Sequence, residues 1–168
     1  MKFVKLLSTI IGFALMWGCV SLAPTTITRK QTLDGYKYVY ITPTAERNSV
    51  SGATFGGAYG VYGATSSNSI SPSELIAGYL MNKGYIRIPE IKQDNAKTTF
   101  IVNYGDGNMR YEGLGNRAIE VTLQLLNAET NELICVVKAD AIGNTDSDAI
   151  RNAINKCLDE VFQKQQNN

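Results

Sequence analysis

Histidine is absent from all 168 residues, and that absence excludes more chemistry than any motif in the chain supplies. Imidazole is the commonest general base near neutral pH and the commonest transition-metal ligand. Ser-His-Asp and Cys-His nucleophile systems and His-ligated zinc centres are therefore excluded. Charge of either sign is also sparse, at 18% of residues. With residues 1–18 set aside, fourteen basic side chains face fifteen acidic ones, so nucleic-acid binding has no electrostatic footprint. Carboxylates are few and scattered: Glu112, Glu120 and Glu132 are candidates for a glycosidase pair, but no spacing places two of them at one cleft. Asp106-Gly107-Asn108 opens like a calcium loop, yet Arg110 stands where a third oxygen ligand is needed, so the segment reads as a turn. No catalytic residue, metal site or cofactor is expected.

What is present begins with a location signal. Lys2 and Lys5 precede an uncharged, mostly apolar run over residues 6–17, and Gly18 stands immediately before Cys19. That is the layout of a signal peptide with cysteine at its cleavage point. Met16-Trp17-Gly18-Cys19 resembles the bacterial lipoprotein signal, with Met16 where leucine is usual and Trp17 where a small residue is. The resemblance implies that Cys19 is acylated and becomes the mature N-terminus. Two other readings stay open. Ser21-Leu22-Ala23 has the form of an ordinary cleavage site, although Pro24 after the scissile bond makes a poor substrate. Residues 6–23 are also uncharged, close to the lower limit of roughly 17 to 25 residues for a spanning helix. All three readings place the body outside the cytoplasm.

Residues 19–34 contain Pro24, four threonines and no apolar period, and read as a tether. A single domain is expected over 35–163, with a frayed polar tail over 164–168. Residues 36–41 alternate strictly, placing Tyr36, Tyr38 and Tyr40 on one face of a strand and Lys37, Val39 and Ile41 on the other. Residues 42–70 are rich in Gly, Ser, Ala and Thr, and read as a long loop insertion. Ser71, Pro72 and Glu74 predict a helix start with a capping box; Leu75, Ile76, Tyr79 and Leu80 form its apolar face and Gly84 its end. Strands follow over 85–88 and 99–104, and Met109 to Tyr111 extend the second as a hairpin. The clearest strand covers 118–127, with Ile119, Val121, Leu123 and Leu125 inward and Glu120, Thr122 and Gln124 outward. A strand over 133–142 returns from the turn at 128–131, and Thr145 or Asp146 caps a last amphipathic helix. The expected fold is α+β: a mostly antiparallel sheet of about five strands with two amphipathic helices on one face, in the order strand, long loop, helix, four strands, helix.

The cysteine signal, the tyrosine-rich first strand, the Leu80-Met81-Asn82-Lys83-Gly84-Tyr85 helix exit, the strand and turn over 121–130 and the helix containing 149–154 together carry a resemblance. The pattern resembles the fold shared by the N-terminal domain of the Tol-system β-propeller protein, the penicillin-binding-protein activator lipoproteins and the curli-secretion lipoprotein. It covers most of residues 36–162. The resemblance implies a non-enzymatic envelope protein that binds other proteins or assembles.

Three groups of residues are candidates for function. Phe55, Tyr59 and Tyr62 are the large aromatics of the glycine-rich segment and read either as a surface loop or as a partner-binding element. Gly52, Gly56, Gly60 and Ala64 have helix-packing spacing, but a helix over 52–64 is only about 20 Å long and cannot span a bilayer alone. Read as two strands, the same segment contributes a hairpin to an oligomeric barrel. Tyr36, Tyr38 and Tyr40 form a stripe open to glycan or protein contact, or to cross-strand packing. Cys135 and Cys157 fall on core-facing positions of the last strand and last helix, where either a disulfide or two unoxidised thiols fits.

The expectation is a non-enzymatic lipoprotein of the bacterial envelope, tethered to the outer membrane through lipid at Cys19 and acting as an accessory or assembly module on another envelope protein. One alternative is an oligomeric pore-forming or secretion component that inserts the glycine-rich segment. The other, an envelope carbohydrate-active enzyme, requires a deep carboxylate-lined pocket.

Overall fold

The structure is a computed structural model that describes residues 22–45, 47–57, 60–112 and 115–163; within 47–69 the description is of the backbone. Among the described residues nine strands and two α-helices run in the order β1 (Thr26–Arg29), β2 (Tyr38–Ile41), β3 (Arg47–Gly57), β4 (Gly60–Ile70), α1 (Pro72–Asn82), β5 (Ile86–Arg87), β6 (Thr99–Asp106), β7 (Arg110–Glu112), β8 (Asn116–Asn127), β9 (Leu133–Gly143) and α2 (Asp146–Gln163), with one 3-10 turn at Ala96–Thr98 before β6. Seven strands form one sheet in the order β1-β9-β8-β6-β2-β5, with β7 also on β8. The β1, β9, β8 and β6 neighbours are antiparallel, whereas β2 runs parallel to both β5 and β6. The fold is thus α+β and mostly antiparallel, with more strands than the periodicity predicts.

The alternation in β8 and β9 works as expected. Ile119, Val121, Leu123 and Leu125 on β8 and Cys135, Val137, Ala139 and Ala141 on β9 are buried beneath α1 and α2, together with Val39, Ile41, Phe100 and Val102. From α2, Ile150, Ala153, Ile154, Cys157, Leu158 and Val161 close over them at helical spacing. Each leucine or isoleucine fully buried in this way contributes about 1.5–3 kcal/mol. The start of α2 is fastened locally: the Thr145 hydroxyl accepts the Asp148 N–H at 3.1 Å, so Thr145 is the N-cap.

Several expectations are corrected. Residues 26–29, expected to be tether, pair with β9 in the register Thr26 with Lys138 to Arg29 with Cys135, because β9 otherwise leaves an edge open. The expected loop over 42–70 is an antiparallel hairpin, paired without a break from Arg47 with Ile70 to Gly57 with Gly60. At α1, Pro72 occupies the first turn as predicted, but the capping box does not form: Ser71 makes no side-chain cap, and Glu74 turns to Arg87 at 2.8 Å instead. Gly84 closes the helix at φ +93°, a conformation other residues rarely adopt, and Tyr85 N–H reaches the Leu80 carbonyl. The strand expected over 85–88 shrinks to Ile86–Arg87.

Strand directions give the molecule two ends. The chain leaves β2, β6 and β9 at the end where β1 and β8 begin, and α1 and α2 both start there. The hairpin β3–β4 interrupts the connection from β2 to α1, so its base lies at that same end. Ile70 at the base is buried in the core, and the Thr44 hydroxyl accepts the Ser73 N–H at 3.1 Å beside it.

Candidate functional site

The hairpin is the first candidate. From Asn48 to Ser73 the chain carries no acidic or basic side chain, in a protein that is 18% charged. Its two eleven-residue strands pair only with each other among the described residues. At about 3.3 Å per residue each strand is about 36 Å long. A lone two-stranded hairpin is at best marginally stable in water, and natural edge strands are usually blunted with lysine, proline or a bulge. None of these protects β3 or β4. Phe55 and Tyr62 are register partners near its tip; Tyr59 lies outside the described residues, as does Cys19.

The tyrosine stripe is divided. β2 begins only at Tyr38, and Tyr36 turns to the core side, meeting the Phe100 ring edge-on at 5.8 Å while its hydroxyl accepts from Asn127 Nδ2 at 2.9 Å. Tyr38 and Tyr40 remain half-buried on the sheet face away from the helices. On that face the Thr42 hydroxyl donates to Asn103 Oδ1 at 2.6 Å. Nearby, Asn103, Tyr104, Gly105, Thr122 and Gln124 line a shallow depression of about 210 Å³ that contains no carboxylate.

Cys135 and Cys157 both face the core, as their positions predict, and both are free thiols. Cys157 Sγ lies 3.6 Å from the Val121 carbonyl. Burial pushes the Cys135 thiol up to about 11 and the Cys157 thiol up to about 12. Such thiols are neutral and poorly nucleophilic at physiological pH.

Two clusters have no counterpart in the sequence reading. Between the helices, the Tyr79 hydroxyl donates to Asp159 Oδ1 at 2.7 Å, and the Lys83 ammonium sits 5.6 Å from the Tyr79 ring centre and 5.7 Å from that of Phe162. Burial first, and then the Asp159 hydrogen bond and charge, raise the Tyr79 phenol well above its ordinary value. The cation already covers the rings, so the cluster is a helix-to-helix fastening. At the hairpin end of the sheet, Asp140 on β9 is 3% exposed, and its Oδ2 accepts both Arg110 Nη2 and the Ala23 N–H, the latter at 3.2 Å. Only the outward position of Asp140 in the β9 alternation marks it in the sequence, since its partners come from 30 and 117 residues away. Among the described residues no three His, Cys, Asp or Glu side chains group as metal ligands, and no helix is long and apolar enough to cross a membrane.

The site and the fold define an α+β protein with a hairpin at one end of its sheet whose strands pair only with each other among the described residues. No protein-family model matches the sequence, and no curated protein is similar to it. Among solved structures the fold is similar to the PelC dodecamer from Paraburkholderia phytofirmans, at 12% identity and a TM-score of 0.50, over 83% of this chain and 96% of that one. A variant of the same dodecamer in another crystal form gives 14% identity and a TM-score of 0.48, over 82% and 97% of the two chains. At these identities the likeness is one of fold.

Proposed function

We propose that this protein is a non-enzymatic, lipid-anchored component of the bacterial envelope that acts as an assembly module, its copies joining edge to edge through β3–β4. The observation that carries the reading is a hairpin with no charged residue from Asn48 to Ile70, whose strands pair only with each other among the described residues. Unpaired N–H and C=O groups along about 36 Å of strand are a template for another chain, and an identical hairpin fits both edges. That the similar PelC chains are dodecamers supports a closed ring of copies. Lipid at Cys19 supplies the membrane attachment.

The decisive test is particle size in mild detergent of protein extracted from the membrane fraction. A discrete multiple of the chain mass is expected, and a monomer overturns the reading. In Ala53→Lys/Ala64→Lys, charge is placed on a register pair midway along the hairpin, and the complex is expected to fall to monomers. A complex of unchanged size in that variant removes the hairpin from the interface.

A second reading has the ring's hairpins entering the bilayer as a barrel. It is favoured by strand length, since membrane-crossing strands need about 9–11 residues and β3 and β4 have eleven each. Dye release from vesicles by the assembled protein separates the two: release supports insertion, and sealed vesicles leave an assembly on the membrane surface.

A further inference from the structure

The tether and the hairpin both leave the body at one end of the sheet, although the fold has two. Ala23 is pinned there by its N–H to Asp140 Oδ2. Three residues separate Ala23 from Cys19, four steps of chain that at about 3.5 Å each allow a reach of about 14 Å. The opposite end, at the β8–β9 turn, lies a whole strand away: the twelve residues of β8 measure about 40 Å. A lipid on Cys19 can therefore reach the Asp140 end and not the far one.

The surface at the Asp140 end suits that position. Tyr111 on β7 is 78% exposed, the most exposed of the described large hydrophobic residues. It pairs in register with Arg117, whose guanidinium lies 5.4 Å from its ring centre, three rows beyond Glu120, the partner of Asp140, toward the end of the sheet. Arg117 is bound by Asp146 and Arg110 by Asp140, so each arginine is fixed while part of it remains exposed. A ring with an apolar body and a hydroxyl tip, with the Arg117 guanidinium over its face, matches the headgroup layer of a bilayer, where one side of the residue is wet and the other is not.

The geometry points to the β7 end of the sheet as the membrane-facing surface, with Tyr111 at headgroup depth and Asp140 as the positioning residue that holds the tether beside it. This rests on the reading of Cys19 as the lipid anchor. It goes beyond that reading by fixing which way the domain stands, and it directs the hairpin base toward the bilayer.

The test uses the chain's shortage of tryptophan. Trp17 is the only one and lies in the signal segment, so a protein processed at Cys19 carries none. Tyr111→Trp and Glu129→Trp, the latter in the turn at the opposite end, are purified in lipidated form and placed in vesicles of brominated phospholipid. Loss of most of the fluorescence at position 111, with little change at 129, is expected; equal quenching at the two positions, or none at 111, overturns the orientation. Intact mass on the same samples separates the failures, because a lipidated mass with no quenching at 111 sinks the orientation alone. A mass without lipid sinks the anchor and the orientation with it. In the Tyr111→Trp background, Asp140→Leu removes the acceptor for Ala23 and is expected to relieve the quenching, whereas Asp140→Asn keeps an acceptor oxygen and is expected to retain it. Quenching unchanged in Asp140→Leu, with the fold intact by circular dichroism, overturns the role of Asp140.

Discussion

The molecule contains two long antiparallel strand pairs of nearly equal length, and they do opposite things. β8 sets large apolar residues against polar ones at every second position, and the inward faces of β8 and β9 disappear together under the helices. β3 and β4 are just as long and paired just as regularly, but they are written in Gly, Ser, Ala and Thr. The first pair has three strand neighbours, β6, β7 and β1, while the second has none among the described residues. The lesson is that backbone pairing alone does not make a stable unit: burial stabilises β8–β9, and what remains in β3–β4 is hydrogen-bonding capacity directed outward.

That contrast can be broken from either side. The largest effect belongs to the core of β8: Leu123 is fully buried, and Leu123→Ala is expected to cost about 2–5 kcal/mol in the chemical unfolding midpoint of the lipid-free domain. Next comes Gly143, where β9 turns into α2. A Cβ there would stand 2.2 Å from the Ala149 nitrogen and 2.6 Å from the Asp148 carbonyl carbon, so Gly143→Ala is expected to cost about 1–3 kcal/mol by forcing helix and strand apart. Thr145→Ala removes the N-cap of the same helix and should cost about 1 kcal/mol by the same measurement.

Alkali gives a finer probe of the same core. Burial holds Cys135 at about 11 and Cys157 at about 12, above the ordinary thiol value of 9.0. A raised folded-state value means that the unfolded chain loses its protons first. The contribution is therefore fully present below pH 9.0 and is lost as pH rises through about 11 to 12. Unfolding midpoints measured from pH 8 upward should fall in this window, and less steeply in Cys135→Ala/Cys157→Ala. Neither thiol should react with iodoacetamide at pH 8 until the domain is unfolded.

The smallest effect on stability is expected from the hairpin. Replacing residues 48–69 with a short Gly-Ser linker keeps buried Ile70 and changes mainly loop-closure entropy, so the midpoint should move by less than about 1 kcal/mol. A large loss of stability would mean that β3–β4 belongs to the core, and the contrast with β8–β9 would fail.

Much of the body is legible in the sequence because its signals are local. The alternation of β8 and β9, the 3.6-residue stripe of α2, Pro72 at the start of α1 and Gly84 at its end are fixed by residues a few positions apart. The hairpin was harder to read. Small residues signal both loop and strand, and pairing over 22 residues depends on register rather than composition. At the β7 end the sequence shows the strand extension at Met109 to Tyr111 and the outward position of Asp140, but not the partners that meet there.

By itself, then, the sequence determined the α+β class, the inward-facing residues of the long strands, both helices and the absence of any histidine-dependent chemistry. Only the tertiary structure decided that residues 26–29 join the sheet, that Glu74 binds Arg87 in place of a capping box and that Tyr36 leaves its stripe for Phe100. It alone brought Ala23, Arg110 and Asp140 together beside the hairpin base. The physical reason is range: periodicity and capping are satisfied within one or two turns of chain, whereas edge pairing and buried ion pairs are settled by whichever distant group arrives to satisfy them.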